Sequence, residues 1–489
     1  MVSDHQDQRT LEDLDPSGRL YNEDLAPAKH QSWRSYNFFA IWMSAIHNIG
    51  TYTFVAGLFV LGLTGWQVLI SLLIGIVVLF TGMNLAGQIG VRTGVPFPVV
   101  ARMSFGVWGA NLPALIRAVI AIAWYGIQTY LASLAVVVLL LRLDPGLEHW
   151  QRQSFLGLSL LGWACFLLLW VLQLTVITRG MEAVRKFQDW AGPAIWVVML
   201  GMALWLFIQA HGHIDMNLSI HPLSGGHATR LILSGAFLLV ATYATMLLNY
   251  TDFSRFARDQ RTVVRGNFWG IPVNFILFAL VSICVTVGSL TVFGKAITDP
   301  ALIIAKVPNT FVLIVGAIMF IIATVGVNVV LNFVSPAYDL ANVWPKHITF
   351  KRGGLISAVL ALVVLPWKLY DNPVVVNYFL GGLGALLGPL FGIMMVDWHV
   401  VKRQQVRVEH LYRADAAAEY HYTNGVNRRA LAVFIPTALV SAVVALVPAF
   451  SSVAAFSWPI GVILSAVAYA QVMRGHRPSD LSAAERETA

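Results

Sequence analysis

In the stretch IAWYGIQTYLAS, residues 122–133, Trp124 and Gln128 stand four positions apart. A helix brings such a pair onto one face. An indole offers a flat surface to a planar ring, and a primary amide offers both donors and an acceptor. The surrounding residues are apolar enough to lie in lipid, where an amide is costly unless something bonds it. The pattern recurs at Asn328 and Asn332, again four apart, with Thr324 one turn earlier, while His47 and Asn48 sit together in the first apolar run and Thr129 follows Gln128. Donors and acceptors of this kind suit a small neutral ligand edged with alternating N–H and C=O groups. They equally suit hydrogen bonds from one helix to another.

Charge is informative by its absence. His47 is the one ionisable residue expected near the middle of an apolar run, and Asp252, Asp339 and Asp397 fall towards run ends. There is no ring of charge or carbonyl filter for an ion pore, and no central countercharge for a strongly charged substrate. No HExxH, GxSxG or GxxxxGK[ST] motif is present, so no enzyme and no cofactor are expected. The three histidines of HGHIDMNLSIH, residues 211–221, fall in a loop, and Cys165 and Cys284 fall within apolar runs, so no metal site and no disulfide are expected.

The elements that must position these residues are membrane helices. The 489 residues are 57% hydrophobic and only 11% charged, with a mean hydropathy of +0.70, against about 25% charged in a soluble domain. Runs long enough for a helix to cross a bilayer, about 20 residues, lie near 36–63, 66–90, 113–141, 154–177, 191–210, 231–250, 268–293, 310–335, 354–367, 374–398, 430–449 and 452–473. The expectation is therefore an all-α membrane protein with twelve transmembrane helices. Its parts are a tail over 1–35 with no cleavable signal peptide, a ten-helix core over 36–398, a connection over 399–429, two further helices over 430–473 and a tail over 474–489.

The net charge of +8 is read as topology rather than as nucleic-acid binding, because basic residues beside membrane helices set orientation. They crowd alternate connections, from Arg92 and Arg102 to Lys402, Arg403, Arg407, Arg413, Arg428 and Arg429. That places these connections and both termini in the cytoplasm of a bacterial inner membrane. Two spans read as interrupted: the first where FFAIWMSAI passes into HNIGTYTF, the sixth where ATMLL passes into NYTDFSRFARD. Interruptions five spans apart point to inverted five-helix repeats around a binding site at mid-membrane. Polar and glycine residues that only kink ordinary helices are the competing explanation.

The stretches NFFAIWMSAIHNIGTY (37–52), GVPFPVVARMSFGVWGANLPALIRA (94–118), WYGIQTYLAS (124–133), LNYTDFSRFA (248–257), NVVLNFVSPAYDLAN (328–342) and GALLGPLFGIMMVDW (384–398) resemble the nucleobase:cation symporter-1 family, in the same order along nearly the whole chain. The IWM and IHNI opening, KRG after the eighth span and PWKL before the tenth are most similar to its bacterial allantoin permeases. The resemblance implies a leucine-transporter-like (LeuT-like) fold of two inverted five-helix repeats plus two peripheral helices. It implies import of allantoin, with uracil or another pyrimidine, or a hydantoin, as the alternative substrate. It also implies roles: Trp124 stacking on the ring, Gln128 and Asn332 bonding it, His47 at a first-span position that holds Gln in the hydantoin carrier, and Leu383 near a gate. Tyr243 stands where the family usually places a second stacking Trp.

In sodium-dependent members the ion is held by backbone carbonyls of the first and eighth spans and two hydroxyls of the eighth. Matching puts Met43, Ile46 and Ala323 at the carbonyl positions, but Gly326 and Val327 at the hydroxyl positions. Neither side chain carries oxygen, and three carbonyls alone replace a hydration shell poorly. No sodium dependence is expected. Transport would be proton-driven or facilitated, with His47 as the mid-span group able to titrate near neutral pH.

Overall fold

The first apolar run stops being helical after Ile46 and resumes at Ile49. The computed structural model describes residues 14–474 except 48, 218, 220, 298–301, 304–305, 307–308 and 372, with the side chains of 49, 312–313, 320, 373–381 and 383 also set outside the description. Asn48 therefore lies outside the described residues. Helix α1 spans Ser35–Ile46, and its C-cap His47 leaves helical geometry at ψ 72°. Helix α2 spans Ile49–Val60. Helix α3, Gly65–Thr93, opens on a reciprocal cap between Thr64 and Gln67 and ends at Gly94, whose φ of 69° suits a residue without a Cβ. A short helix α4, Phe97–Phe105, leads into α5, Asn111–Leu143, which carries Trp124 and Gln128.

Next come α6, Leu160–Ile177, and α7, Met181–Gln209. The run expected over 154–177 begins instead with a two-stranded hairpin, Ser154–Phe155 against Leu158–Ser159, whose last residue caps α6 by accepting from the Gly162 amide. The sixth run is interrupted at Tyr243, between α8 (Gly225–Thr242) and α9 (Ala244–Asn249), earlier than the NYTD stretch. Those polar residues instead form α10, Thr251–Ser254.

Helix α11, Gln260–Phe293, carries a π turn at Trp269–Val273. Helix α12, Thr310–Asn328, passes through a π turn, Val329–Phe333, into α13, Val334–Val343. A π turn adds a residue to the ladder and re-aims the side chains around it; here Asn332 lies within it. Helix α14, Phe350–Val363, ends before Leu365, which adopts φ 50° ahead of Pro366. The ninth expected run thus breaks short. Helices α15 (Pro373–Val396), α16 (Arg428–Leu446) and α17 (Ser457–Val472) complete the chain. Among the described residues nine helices are long and apolar enough to cross a membrane. The broken pair α1 and α2, the bent pair α8 and α9, and α14 are the remaining apolar elements.

Small residues let the last helices touch. A Cβ on Gly388 of α15 would lie 2.5 Å from the Trp458 carbonyl, and one on Gly392 would lie 2.2 Å from Ser465 Oγ of α17. One buried polar knot pins α17 to the core: Asp397 accepts from Ser104 Oγ at 2.9 Å, Tyr469 Oη at 3.0 Å and Lys402 Nζ at 3.3 Å.

Part of the segment expected as an N-terminal tail is a belt over one face. Leu20, Leu25 and Trp33 are buried. Asn22 Nδ2 donates to the Pro345 and Ile348 carbonyls at 2.6 and 3.0 Å, Arg102 donates to the Leu20 carbonyl, Tyr412 Oη donates to the Leu25 carbonyl at 2.7 Å, and the Trp33 amide donates to the Phe256 carbonyl at 2.9 Å.

Removing one partner of a buried ion pair strands the other charge, at about 3–5 kcal/mol. Asp397→Leu, which leaves Lys402 with its side chain 4% exposed, should therefore lower the melting temperature of the purified protein sharply. Asp415→Ala breaks the exposed pair with Arg413 and should leave it unchanged. Equal melting of the two variants would mean that Asp397 does not hold α17.

Candidate functional site

Trp124 of α5 lines a cavity of about 700 Å³ together with Phe54 of α2, Thr242 and Thr245 around the Tyr243 bend, and Gly384 and Leu387 of α15. The connection between α16 and α17 forms its far wall. The volume falls in the range that encloses small organic ligands, about 300–1,000 Å³. Gln128 is 8% exposed, and its Oε1 has no hydrogen-bond partner. A stranded buried acceptor costs about 1–3 kcal/mol, a deficit that a ligand N–H would remove. Gln128 is not itself among the cavity-lining residues.

The Asn328 amide is committed elsewhere. Its Nδ2 lies 3.0 Å from the Tyr125 carbonyl, 2.9 Å from Thr129 Oγ1 and 2.7 Å from Gln173 Oε1, so it ties α12 to α5 and α6. Its Oδ1 accepts from Asn332 Nδ2 at 3.0 Å. Asn328 thus supports Asn332 and is not among the cavity-lining residues. Gln173 was not among the expected residues. The signal for it was its position inside the apolar run WVLQLTV, where an amide needs partners.

Tyr243 also differs from expectation. It is 1% exposed and its ring packs between Trp42 and Phe275. Its hydroxyl donates to the Ala45 carbonyl at 3.2 Å and lies 3.4 Å from Thr51 Oγ1. The residue at the sixth-run bend thus holds the break in the first run, and the hydroxyl does what a second stacking ring could not.

His47 is not among the cavity-lining residues. It is 1% exposed, set edge-on against Trp196 at 4.4 Å and Phe278 at 5.1 Å, and neither ring nitrogen has a hydrogen-bond partner. The backbone of Leu383 lies in α15, while its side chain is outside the description.

At the matched cation positions, Gln188 of α7 donates from Nε2 to the Gly326 carbonyl at 2.9 Å. A Cβ on Gly326 would lie 3.5 Å from Ser44 Oγ and 3.6 Å from Gln188 Oε1; both oxygens are buried without partners. Val327 is buried and contributes only methyl groups. Met43, Ile46 and Ala323 are buried nearby in α1 and α12. Among the described residues there is no group of three or more His, Cys, Asp or Glu side chains able to hold a metal.

Residues 26–461 match the family model described as permease for cytosine/purines, uracil, thiamine, allantoin. The chain is 40% identical over 479 residues to the allantoin permease of Bacillus subtilis (strain 168), covering 95% of this chain and 96% of that one. It is 31% identical over 459 residues to a putative allantoin permease of Escherichia coli (strain K12), covering 92% and 94%. Among solved structures, Mhp1, a nucleobase-cation-symport-1 family transporter in a closed conformation with bromovinylhydantoin bound, superposes with a TM-score of 0.77 over 96% of this chain and 99% of that one, at 23% identity. The fold is thus the LeuT-like arrangement, and its two interrupted helices are the broken α1/α2 pair and the bent α8/α9 pair.

The geometry separates ligand contact from support. Trp124→Ala should weaken ligand binding by about 1–3 kcal/mol, as loss of an aromatic platform does for stacked bases, with little change in melting temperature. Asn328→Leu should do the reverse first, lowering the melting temperature by stranding Gln173 and Asn332. Isothermal titration beside thermal unfolding distinguishes the two, and unchanged affinity in Trp124→Ala would exclude it from the site.

Tyr243→Phe deletes the bond to the Ala45 carbonyl and should cost about 1 kcal/mol of stability, whereas Tyr243→Trp, lacking a hydroxyl and larger, should cost more. Full stability in both variants would return Tyr243 to a stacking role.

Proposed function

Because the chain belongs to the nucleobase:cation symporter-1 family of permeases, a family of multi-pass membrane transporters, we propose that it imports a small neutral nitrogen-rich heterocycle, allantoin before others, by alternating access. The observation that carries this reading is Trp124 at the wall of a cavity of about 700 Å³, one helical turn from the unpartnered Gln128 carbonyl. A ring stacked on the indole would present an N–H to that oxygen. Asn332, held by Asn328, supplies a further amide across the site. The match to allantoin permeases over nearly the full chain supports the ureide over uracil or a hydantoin, whose edges carry the same donors and acceptors.

In this reading twelve spans cross a bacterial plasma membrane, ten of them forming the transport core over 36–398, with 399–429 and both termini in the cytoplasm. The basic residues of alternate connections support that orientation. Transport is independent of sodium. Gly326 and Val327 offer no side-chain oxygen at the matched hydroxyl positions. The His47 ring packs among Trp196, Phe278 and Tyr52.

Uptake of radiolabelled allantoin, uracil, hydantoin and leucine into cells expressing the chain tests the substrate, with allantoin expected to be taken up and leucine not. Reconstituted vesicles test the driving force. An inward sodium gradient at fixed pH should give no stimulation, and a clear stimulation would overturn the sodium-independent reading.

A further inference from the structure

The arginines near the helix ends fall into two groups. Arg102, Arg117 and Arg255 are buried and spend their hydrogens inside the fold. Arg102 donates to Asn342 and to the Leu411 carbonyl, Arg117 to the Leu331 carbonyl and Arg255 to the Asp24 carbonyl. The last two share the interior with the buried carboxylates Asp252 and Asp339. Arg34, Arg258, Arg261 and Arg265, in contrast, are exposed. Among the described residues none of these four enters an ion pair within 4.0 Å. The carboxylate nearest in sequence, Asp259, caps α11 by accepting from the Thr262 amide at 2.7 Å.

Three of the four unpaired charges gather at the start of α11. That helix has 34 residues, so at 1.5 Å per residue it is about 51 Å long, against about 30 Å of hydrocarbon. The excess includes its polar first turns, QRTVVRGNF, which therefore stand at headgroup level. Arg261, Arg265, Phe268 and Trp269 fall on one helical stripe, and all four are exposed. Thr262 and Gly266 lie beside that stripe and face α1. The Thr262 carbonyl accepts from Ser35 Oγ at 3.0 Å, and a Cβ on Gly266 would lie 2.5 Å from Phe38 Cβ. The stripe thus borders the start of α1, which adds the exposed Arg34 and Tyr36.

This arrangement has two halves at different depths. Trp269 is four residues, about 6 Å, deeper along the helix than Arg265. Indole rings settle at the boundary between headgroups and hydrocarbon, and a guanidinium fork matches the oxygens of a phosphate. A phosphodiester carrying acyl chains engages both halves, whereas a free phosphate engages only the upper one. Arg428 and Arg429 at the start of α16 are exposed as well, but the exposed residues below them are Ala432, Ile435 and Leu439, with no ring among them.

We propose that the groove between the starts of α1 and α11 binds an anionic phospholipid, its phosphate held by Arg261 and Arg265 with Arg34 beside them and its chains laid over Phe268 and Trp269. The bound lipid ties the start of the broken helix α1 to α11. The groove shares no residue with the lining of the Trp124 cavity.

Native mass spectrometry of the purified protein, titrated with dioleoylphosphatidylglycerol or dioleoylphosphatidylcholine, tests it. Wild type should prefer the anionic lipid, and Arg261→Gln with Arg265→Gln should lower that affinity about tenfold or more, as loss of two basic residues at an anionic surface does. Arg428→Gln with Arg429→Gln should keep the wild-type affinity, and Trp269→Ala should weaken it. Equal affinity of the wild type for the two lipids, equal loss in the two double variants, or full affinity in Trp269→Ala would each overturn the proposal. Glycerol phosphate in excess should leave the lipid bound; displacement would overturn it in favour of a site for phosphate ions. Should the Arg261 and Arg265 variant fail to fold, phosphatidylglycerol carrying a diazirine on its headgroup decides on the wild type. Its cross-links must map to residues 34–39 and 258–269, and labelling spread evenly over the other basic helix ends overturns the proposal. No arm uses a transport substrate, so the outcome is separate from that of the allantoin reading.

Discussion

A helix that stops inside a membrane leaves backbone carbonyls with no partner, and hydrocarbon supplies none. Everything near the site follows from how this chain meets that constraint. The last turn of α1 is closed from outside its own helix: the Tyr243 hydroxyl reaches the Ala45 carbonyl, and Asn274 reaches the Trp42 carbonyl. Since Tyr243 is itself the point where the sixth run bends, one interruption supports the other. The two breaks are a single bonded object, and the cavity beside Trp124 lies against it.

Much of this was legible in the chain before any coordinates. The first break falls at His47, where an imidazole, an amide and a glycine interrupt an apolar run. Trp124, singled out by its spacing from Gln128, lines a cavity, and Gln128 does not. What could not be read was which amide serves the ligand and which serves the helices. Asn328 and Asn332 have the same chemistry and spacing as Trp124 and Gln128, yet Asn328 spends its hydrogens on Tyr125, Thr129 and Gln173. Partners from distant spans decide that, and spacing within one span carries no trace of them. The same holds for Tyr243, whose hydroxyl reaches a carbonyl 198 residues away.

Charge was misjudged more deeply. Arg117, Asp252 and Asp339 stand near the ends of their apolar runs, where sequence places water. In the folded chain a belt over residues 14–34 and the connection beneath α4 cover that face, so groups near the end of a span are as dry as groups at its centre. Depth along a helix is a proxy for solvation only where nothing lies across the helix ends. Here the cover comes from segments that look like tail and linker, and their composition, polar and mixed in charge, hides the buried Leu20, Leu25, Trp33 and Tyr412.

The belt also imposes an order of events on biosynthesis. Leu25 is bonded by Tyr412, 387 residues later, and Asn22 by carbonyls more than 320 residues later. Pro345, Ile348 and Tyr412 are made long after the belt, whereas its partners Arg102 and Phe256 come earlier. Until the connection after α15 has been made, the nascent bundle has its binding helices but not the seal over one face. With these bonds set between the first and the last parts of the chain, the cover over this face is complete only when the connection after α15 has been made.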